Sequence, residues 1–250
     1  MTLYEIARRL AWPVLPVLHG RAMRDLQELV YGLGRAGTPR LLDIGGRSSP
    51  YTVGLRARVT ILDVPRASEV QESLHLGVDA RLEEHLTTRR SNLEGLRLED
   101  MCTTTLPDAS FDGVVAVEVI EHVEDDATFV AQTARVLAPH GWAYFTTPNG
   151  EWVKNEAPHY NPDHVRHYTR AELEALLRTA FDEVDVVYAV RTGRHRYRGL
   201  RSFSPRRPFA MLSAMAANVI NHVESRAVDT QSRRTAHLIA RARRPRRGSS

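Results

Sequence analysis

The sequence predicts an α/β protein built on a doubly wound, mostly parallel sheet with helices on both faces. Three observations predict it. Short apolar runs alternate with amphipathic segments of helical spacing along nearly the whole chain. The run Gly113–Val117 is apolar without interruption, as expected of a strand buried on both faces. Four successive runs end on, or lead into, acidic residues: Asp43, Asp63, Asp100 and the stretch Glu118–Asp126. In a parallel sheet these all fall at the carboxyl edge, where ligands bind.

With 250 residues, 42% hydrophobic and 26% charged, the chain can bury one sizeable core and little more. It reads as one domain. Residues 1–38 form a helical lid, 39–190 the core, 191–242 an insertion and the last strand, and 243–250 a basic tail that frays. The single cysteine, Cys102, excludes an internal disulfide framework and points to a reducing cytoplasm. Net charge is +4, and all but one of the basic residues are arginine, Lys154 being the exception. The arginines cluster in 191–207 and 233–247. They match no known RNA-binding module, so they read as solvated loops and a frayed tail. The longest apolar run, near Phe209–Ile220, is broken by Ser213 and Asn218 and is too short for the ~20 residues of a membrane span. The first twenty residues mimic a signal peptide, but Glu5, Pro13 and Pro16 favour an amphipathic helix and connector.

The elements follow in order. Leu3–Leu10 and Met23–Leu33 carry helical apolar spacing, and Gly34, Gly37 and Pro39 end the second. Leu41–Ile44 and Val59–Val64 are strands one and two, with a turn or two of helix expected in Tyr51–Arg58. A helix is expected around Asp79–Thr87, then strand three at Leu96–Met101, strand four at Gly113–Val117, a helix at Ala127–Leu137 and strand five at Trp142–Thr147. Thr169 with Glu172 three residues on is a capping box, opening a helix through Leu177. Strand Val184–Val190, an apolar helix Phe209–His222 and a final strand Ala236–Ala240 complete the chain. The helix Phe209–His222 is a candidate homodimer face or pocket cover.

The turn after strand one, Gly45-Gly46-Arg47-Ser48-Ser49, is neither a dinucleotide fingerprint nor a phosphate-binding loop. An acid at the end of strand two suits ribose hydroxyls, since a carboxylate accepts both. Nicotinamide and S-adenosylmethionine sites share that feature.

The remainder of the pattern separates them. LLDIGGRSSPY, ILDV, LEDM, LPDASFDGVVAVEVIEHVEDD, ARVLAPHGWAYFTTPN and HVRHYTRAELEALL, in this order, resemble the class I S-adenosylmethionine-dependent methyltransferases. The similarity is to the small-molecule branch that includes quinone and sugar methyltransferases, and it covers Leu41 to about Val187. It implies a seven-stranded sheet in the order 3-2-1-4-5-7-6 with the seventh strand antiparallel. It also implies cofactor roles. Asp43, Gly45 and Gly46 would hold the methionine end and Asp63, with Val64 following, the ribose. Asp100 and Met101 would border the adenine, and Glu118 would lie beneath the sulfonium. Arg47 and Ser49 stand where the family usually has glycine. Arg47 must therefore point away, pair with an acid, or contact the cofactor or the substrate carboxylate.

The resemblance implies methyl transfer, an in-line displacement in which the enzyme mainly supplies alignment. A hydroxyl acceptor also gains from a base. The candidates are His122, whose basicity Glu121 or Glu124 can raise, and the loop HYNPDHVRHYT with His159, His164 and His167. Oxygen ligands Glu121, Asp125 and Asp126 would suit Mg²⁺, although a solvated acidic helix start favoured by the macrodipole explains them better. Glu151 and Trp152 are candidates to line the acceptor pocket. Cys102 reads as a packed side chain. The expected activity is O-methylation of a small polar acceptor such as a sugar. The alternatives are C- or N-methylation of a metabolite or quinone precursor, and a non-catalytic binding protein of the same fold.

Overall fold

The computed structural model describes residues 2–11, 14–34, 37–64, 86, 88–157, 160–191 and 208–246. Its centre is a seven-stranded sheet ordered β3-β2-β1-β4-β5-β7-β6. The strands are β1 (Arg40–Ile44), β2 (Arg58–Asp63), β3 (Leu93–Leu98), β4 (Phe111–Val117), β5 (Leu137–Pro148), β6 (Phe181–Arg191) and β7 (Thr235–Pro245). Only β7 runs antiparallel to its neighbours, pairing with both β5 and β6. The helices are α1 (Leu3–Ala11), α2 (Val17–Gly32), α3 (Asp126–Val136), α4 (Arg170–Arg178) and α5 (Pro208–Glu224).

Period-two alternation sorts the central strands onto two cores. Leu42, Ile44, Val114, Ala116 and Phe145 face a layer with Phe129 of α3 and Leu173 and Leu177 of α4. Leu41, Ile61, Val115 and Tyr144 face α2, meeting Leu18, Ala22, Leu26 and Leu29. Both faces of β4 are thus covered, which is why its sequence lacks polar residues from Gly113 to Val117. Beneath α2 the buried Asp25 accepts from the Tyr144 hydroxyl at 3.2 Å and pairs with Arg21 and Arg241.

Several expectations need correction. The second helix begins at Val17, directly after Pro16, and not at Met23, because Val17, Leu18 and Ala22 are buried against the sheet. Since α2 covers a sheet face, it is not a lid over the carboxyl edge. α1 is tied down beside it by Glu5, which accepts from the Ser91 backbone N–H at 2.9 Å. Tyr51–Arg58 forms no helix. Gly54 is left-handed at φ 72°, a single turn closes by Leu55 N–H donating to the Thr52 carbonyl at 3.4 Å, and Asn92 Nδ2 donates to the Thr52 and Leu55 carbonyls at 2.8 and 3.2 Å. Strand three sits earlier than expected, at Leu93–Leu98, leaving Asp100 to cap a 3-10 turn at Met101–Thr103. The last strand extends to Pro245, and Arg244 and Arg246 pair with Glu183 and Asp182, so the tail is anchored through Arg246. The helix expected at 79–87 lies outside the described residues, except for Leu86.

Candidate active site

β1 delivers Asp43, 1% exposed, to the carboxyl edge, and the chain turns there on two glycines. Gly45 is left-handed at φ 68°, and a Cβ on it would lie 2.9 Å from Val119 Cγ2. A Cβ on Gly46 would lie 2.8 Å from Asp43 Cγ. Both glycines are thus required by close packing. The loop is braced from behind by the buried Arg90. One of its guanidinium nitrogens donates to the Gly46 carbonyl at 2.9 Å and to the Ser49 carbonyl. The other reaches the Thr52 hydroxyl at 3.3 Å and Asp43 at 3.7 Å. Thr52 donates to Asp43 Oδ2 at 2.5 Å, while Asp43 Oδ1 is buried without a partner among the described residues. Burial raises the Asp43 pKa against the pull of Arg90.

β2 ends on Asp63, and Arg47 folds onto it. The Nη1 of Arg47 donates to Oδ1 at 2.8 Å and its backbone N–H to Oδ2 at 3.3 Å. Val64 adds a backbone N–H to Oδ1 at 3.0 Å. Of the fates open to Arg47, pairing with an acid is the one the geometry displays. After β3, Asp100 accepts from Cys102 N–H through Oδ1 at 2.8 Å, and Met101 is buried beside it. The orphaned Asp43 oxygen, the glycine cradle and the acids ending β2 and following β3 fit an adenosyl cofactor. The ribose acid alone is partly filled, by Arg47.

Four histidines and two glutamates meet beyond β4. Glu118 has φ 55°, unusual for a side chain with a Cβ. Its carboxylate accepts from the Thr146 hydroxyl at 2.8 Å and lies 3.1 Å from His237 Nδ1. Asn149 explains why β7 brings His237 here. Its side chain donates to the Thr235 carbonyl at 3.2 Å and its N–H to Ala236 at 2.9 Å, fastening the end of β5 to the start of β7. A 3-10 turn at Ile120–His122 follows β4. It points Ile120 and Glu121 inward, both 0% exposed, and His122 outward. The Glu121 carboxyl makes no well-formed hydrogen bond among the described residues, although Thr147 and its own backbone N–H lie close to it. The long loop after β5 is stitched to this turn by Val165 N–H donating to the Glu121 carbonyl at 2.8 Å. Asn155 closes that loop on itself through the Asn161 and His164 carbonyls. His164 therefore lands edge-on to His122, ring centroids 4.6 Å apart.

Burial opposes ionisation of both glutamates. In Glu118 it is overcome by His237, Thr146 and His164, and the pKa is lowered. In Glu121 burial is reinforced by Glu118, and the pKa is raised well above the usual range. The two neighbouring carboxyls are thereby shifted in opposite directions. Burial, followed by His122 and His167, lowers His164 to about 4, so its ring is neutral at pH 7.

The other anticipated residues are placed as follows. Asp125 caps α3 by accepting from Thr128 N–H at 2.9 Å. Asp126 is taken by Arg166 and by the Tyr168 hydroxyl. The oxygen-ligand set Glu121, Asp125 and Asp126 is therefore not assembled. Glu151 accepts from the Tyr188 hydroxyl at 2.9 Å, and Trp152 is partly exposed. Burial, followed by Asp100, pushes the Cys102 thiol up to about 11. His159 lies outside the described residues. Sequence reasoning missed Arg90 and His237. Each reaches its partners across more than 35 residues of chain, and neither lies in a local motif. A cavity of about 320 Å³ lies at the β6 edge, lined by α2, β6 and α5 residues including Arg21, Arg24 and His222.

Residues 42–145 match the family described as "Methyltransferase domain". That segment of the chain is therefore similar to a methyltransferase domain, and the sheet around it has the order β3-β2-β1-β4-β5-β7-β6. Over 120 residues it is 36% identical to a "Probable S-adenosylmethionine-dependent methyltransferase" of Mycolicibacterium smegmatis, covering 48% of this chain and 46% of the relative. Over 156 residues it is 26% identical to the "Ubiquinone biosynthesis O-methyltransferase" of Thiobacillus denitrificans, covering 56% and 63%. The chain thus spans about half the length of the first curated relatives it matches. Among solved structures, phosphoethanolamine N-methyltransferase 2 of Haemonchus contortus, in complex with S-adenosylhomocysteine, aligns at TM-score 0.59 and 16% identity. That alignment covers 97% of this chain and 57% of the other. A methyltransferase of Archaeoglobus fulgidus aligns at TM-score 0.57 and 13% identity, covering 92% and 93%. At such identities the likeness is one of fold. The matched domain begins inside β1 and ends inside β5, so it contains Asp43, Asp63, Asp100 and Glu118 but not His164 or His237.

Proposed function

We propose that the chain binds S-adenosylmethionine at the carboxyl edge of β1 to β4 and transfers its methyl group to a hydroxyl of a small polar acceptor. The observation that carries this reading is the cluster of Glu118, Glu121, His122, His164 and His237 beyond β4. An apolar acceptor would leave the buried Glu121 carboxyl without a well-formed hydrogen bond, at a cost of ~1–3 kcal/mol. A hydroxyl-bearing acceptor such as a sugar suits this polar lining better.

The cofactor when bound supplies an electrophilic methyl on a good leaving group. Asp43 Oδ1 would accept from its methionine end, Asp63 from the ribose and the remaining oxygen of Asp100 from the adenine amine. Val64 and Met101 would flank the adenosyl group. Glu121, His122 and His164 orient the acceptor hydroxyl. His237, held by Glu118 through Nδ1, takes the hydroxyl proton as the oxygen attacks. A held imidazole of this kind contributes ~10²–10⁴-fold. Tests begin with calorimetry using S-adenosylhomocysteine, and absence of binding at high micromolar protein sinks the reading. Turnover is then sought against a panel of sugars and phenols.

A second reading is favoured by one observation, the Arg47–Asp63 pair. If Arg47 never leaves Asp63, the domain is a non-catalytic binding protein, and the same calorimetry registers no heat. The relatives' names include both O- and N-methyltransferases, so acceptor atom type is decided by the turnover panel. No helix among the described residues is long and apolar enough to cross a membrane.

A further inference from the structure

One ligand atom from each of Glu121, His122 and His164 lies within 4.8 Å of the other two. Two independent features suggest what these atoms await. The first is the Glu121 carboxyl, fully buried with neither oxygen in a well-formed hydrogen bond among the described residues. A buried carboxyl in a native protein is normally paired or bound to a metal.

The second is a set of hydrogen bonds that fixes both rings. The carbonyl of Val153 lies 2.7 Å from His167 Nδ1 and can only accept, so Nδ1 of His167 carries hydrogen. In the neutral ring its Nε2 is then an acceptor, and it lies 2.7 Å from His164 Nδ1, which must donate. The carbonyl of Asp163, 2.9 Å from His122 Nδ1, requires a donor there as well. Both rings therefore carry their hydrogen on Nδ1 and leave the Nε2 lone pair available. Metal-ligating histidines are held this way, with the far ring nitrogen donating to a carbonyl or another acceptor.

We propose that Glu121, His122 and His164 form a binding site for a divalent first-row transition ion of the Zn²⁺ type. Two imidazoles and one carboxylate suit Zn²⁺ better than Mg²⁺, which prefers oxygen ligands. Ligand atoms around a tetrahedral ion at ~2.0–2.1 Å are about 3.4 Å apart, so side chains that lie within 4.8 Å of one another need only small rotations to close on it. His122 is exposed, so an ion held here would be reachable from solvent. In the reading above, such an ion would favour the ionised form of an acceptor hydroxyl. That role rests on the methyltransferase reading, whereas the binding itself does not.

The test uses the full chain without a histidine tag, stripped of metal by a chelator. Co²⁺ is titrated in while visible d–d absorption is followed, and bound Zn²⁺ is counted after dialysis. One equivalent with saturable absorption is expected. Binding should be lost in Glu121→Gln and weakened at least tenfold in His122→Ala, where the exposed position spares the fold. Absence of saturable binding in the native chain overturns the proposal, as does unchanged affinity in both variants. Calorimetry with S-adenosylhomocysteine on the same metal-free protein separates the two readings. Cofactor binding without metal binding removes only this inference, and the reverse removes only the methyltransferase reading.

Discussion

Arg47 and Asp63 form a closed pair, with Nη1 2.8 Å from Oδ1 and only 3% of the Asp63 side chain exposed. The acid anticipated as the ribose ligand thus holds an internal cation in its place. Ribose hydroxyls would have to displace that cation. Asp63→Ala should weaken S-adenosylhomocysteine binding by about 1.5–3 kcal/mol, the worth of hydrogen bonds to a charged group. Arg47→Ala should have the opposite sign and tighten binding about fivefold, because no internal donor remains to be displaced. Isothermal titration of both variants reads the two effects. Weaker binding in Arg47→Ala would show that the arginine moves onto the cofactor.

His237 is held 3.1 Å from Glu118 across the sheet edge. His237→Asn should lower turnover of the identified acceptor by ~10²–10⁴-fold while leaving S-adenosylhomocysteine affinity within about twofold. Stopped or coupled assays with matched calorimetry make the comparison. Full activity in the variant would remove His237 as proton acceptor.

Arg90 is a buried cation whose partners all belong to the glycine loop or its neighbours. Arg90→Met keeps much of the volume but leaves the Gly46 and Ser49 carbonyls without their donor. A cost of ~3–5 kcal/mol is expected, as for removal of one partner from a buried charged network. Urea unfolding monitored by circular dichroism would measure it. A loss below about 1 kcal/mol would mean the loop is braced by other contacts.

His19 on α2 packs edge-on against Tyr51 with ring centroids 4.9 Å apart. Burial, and secondarily Arg8, lowers its pKa to about 3. Between the unfolded value near 6.5 and the folded value, only the unfolded chain takes up the proton. Stability is therefore greatest above pH 6.5 and falls as pH drops, by up to ~1.4 kcal/mol per pH unit from this group. The difference between native chain and His19→Phe should change by about 2 kcal/mol between pH 6.5 and 5. Parallel urea curves at the two pH values would refute this assignment.

The sheet and its acidic carboxyl edge are legible in the sequence alone. Apolar runs of strand length mark the strands, because a strand covered on both faces, as β4 is, buries its side chains on either side. Asp43, Asp63 and Asp100 are legible because each lies in the last residues of its strand or just past it, and strand direction alone sends them to one edge. The Thr169 capping box was legible for the same reason, since its bonds span three residues. Tertiary structure decided what faces those acids. Arg47 turns onto Asp63, Arg90 arrives from a distant segment, and β7 carries His237 to Glu118 through pairing with β5. The inward turn of Glu121 and outward turn of His122 depend on one 3-10 turn packing against a loop some forty residues later. Such contacts are long-range choices among several available partners. They are settled by which partner leaves the fewest buried polar groups unpaired, and that depends on the whole packed interior.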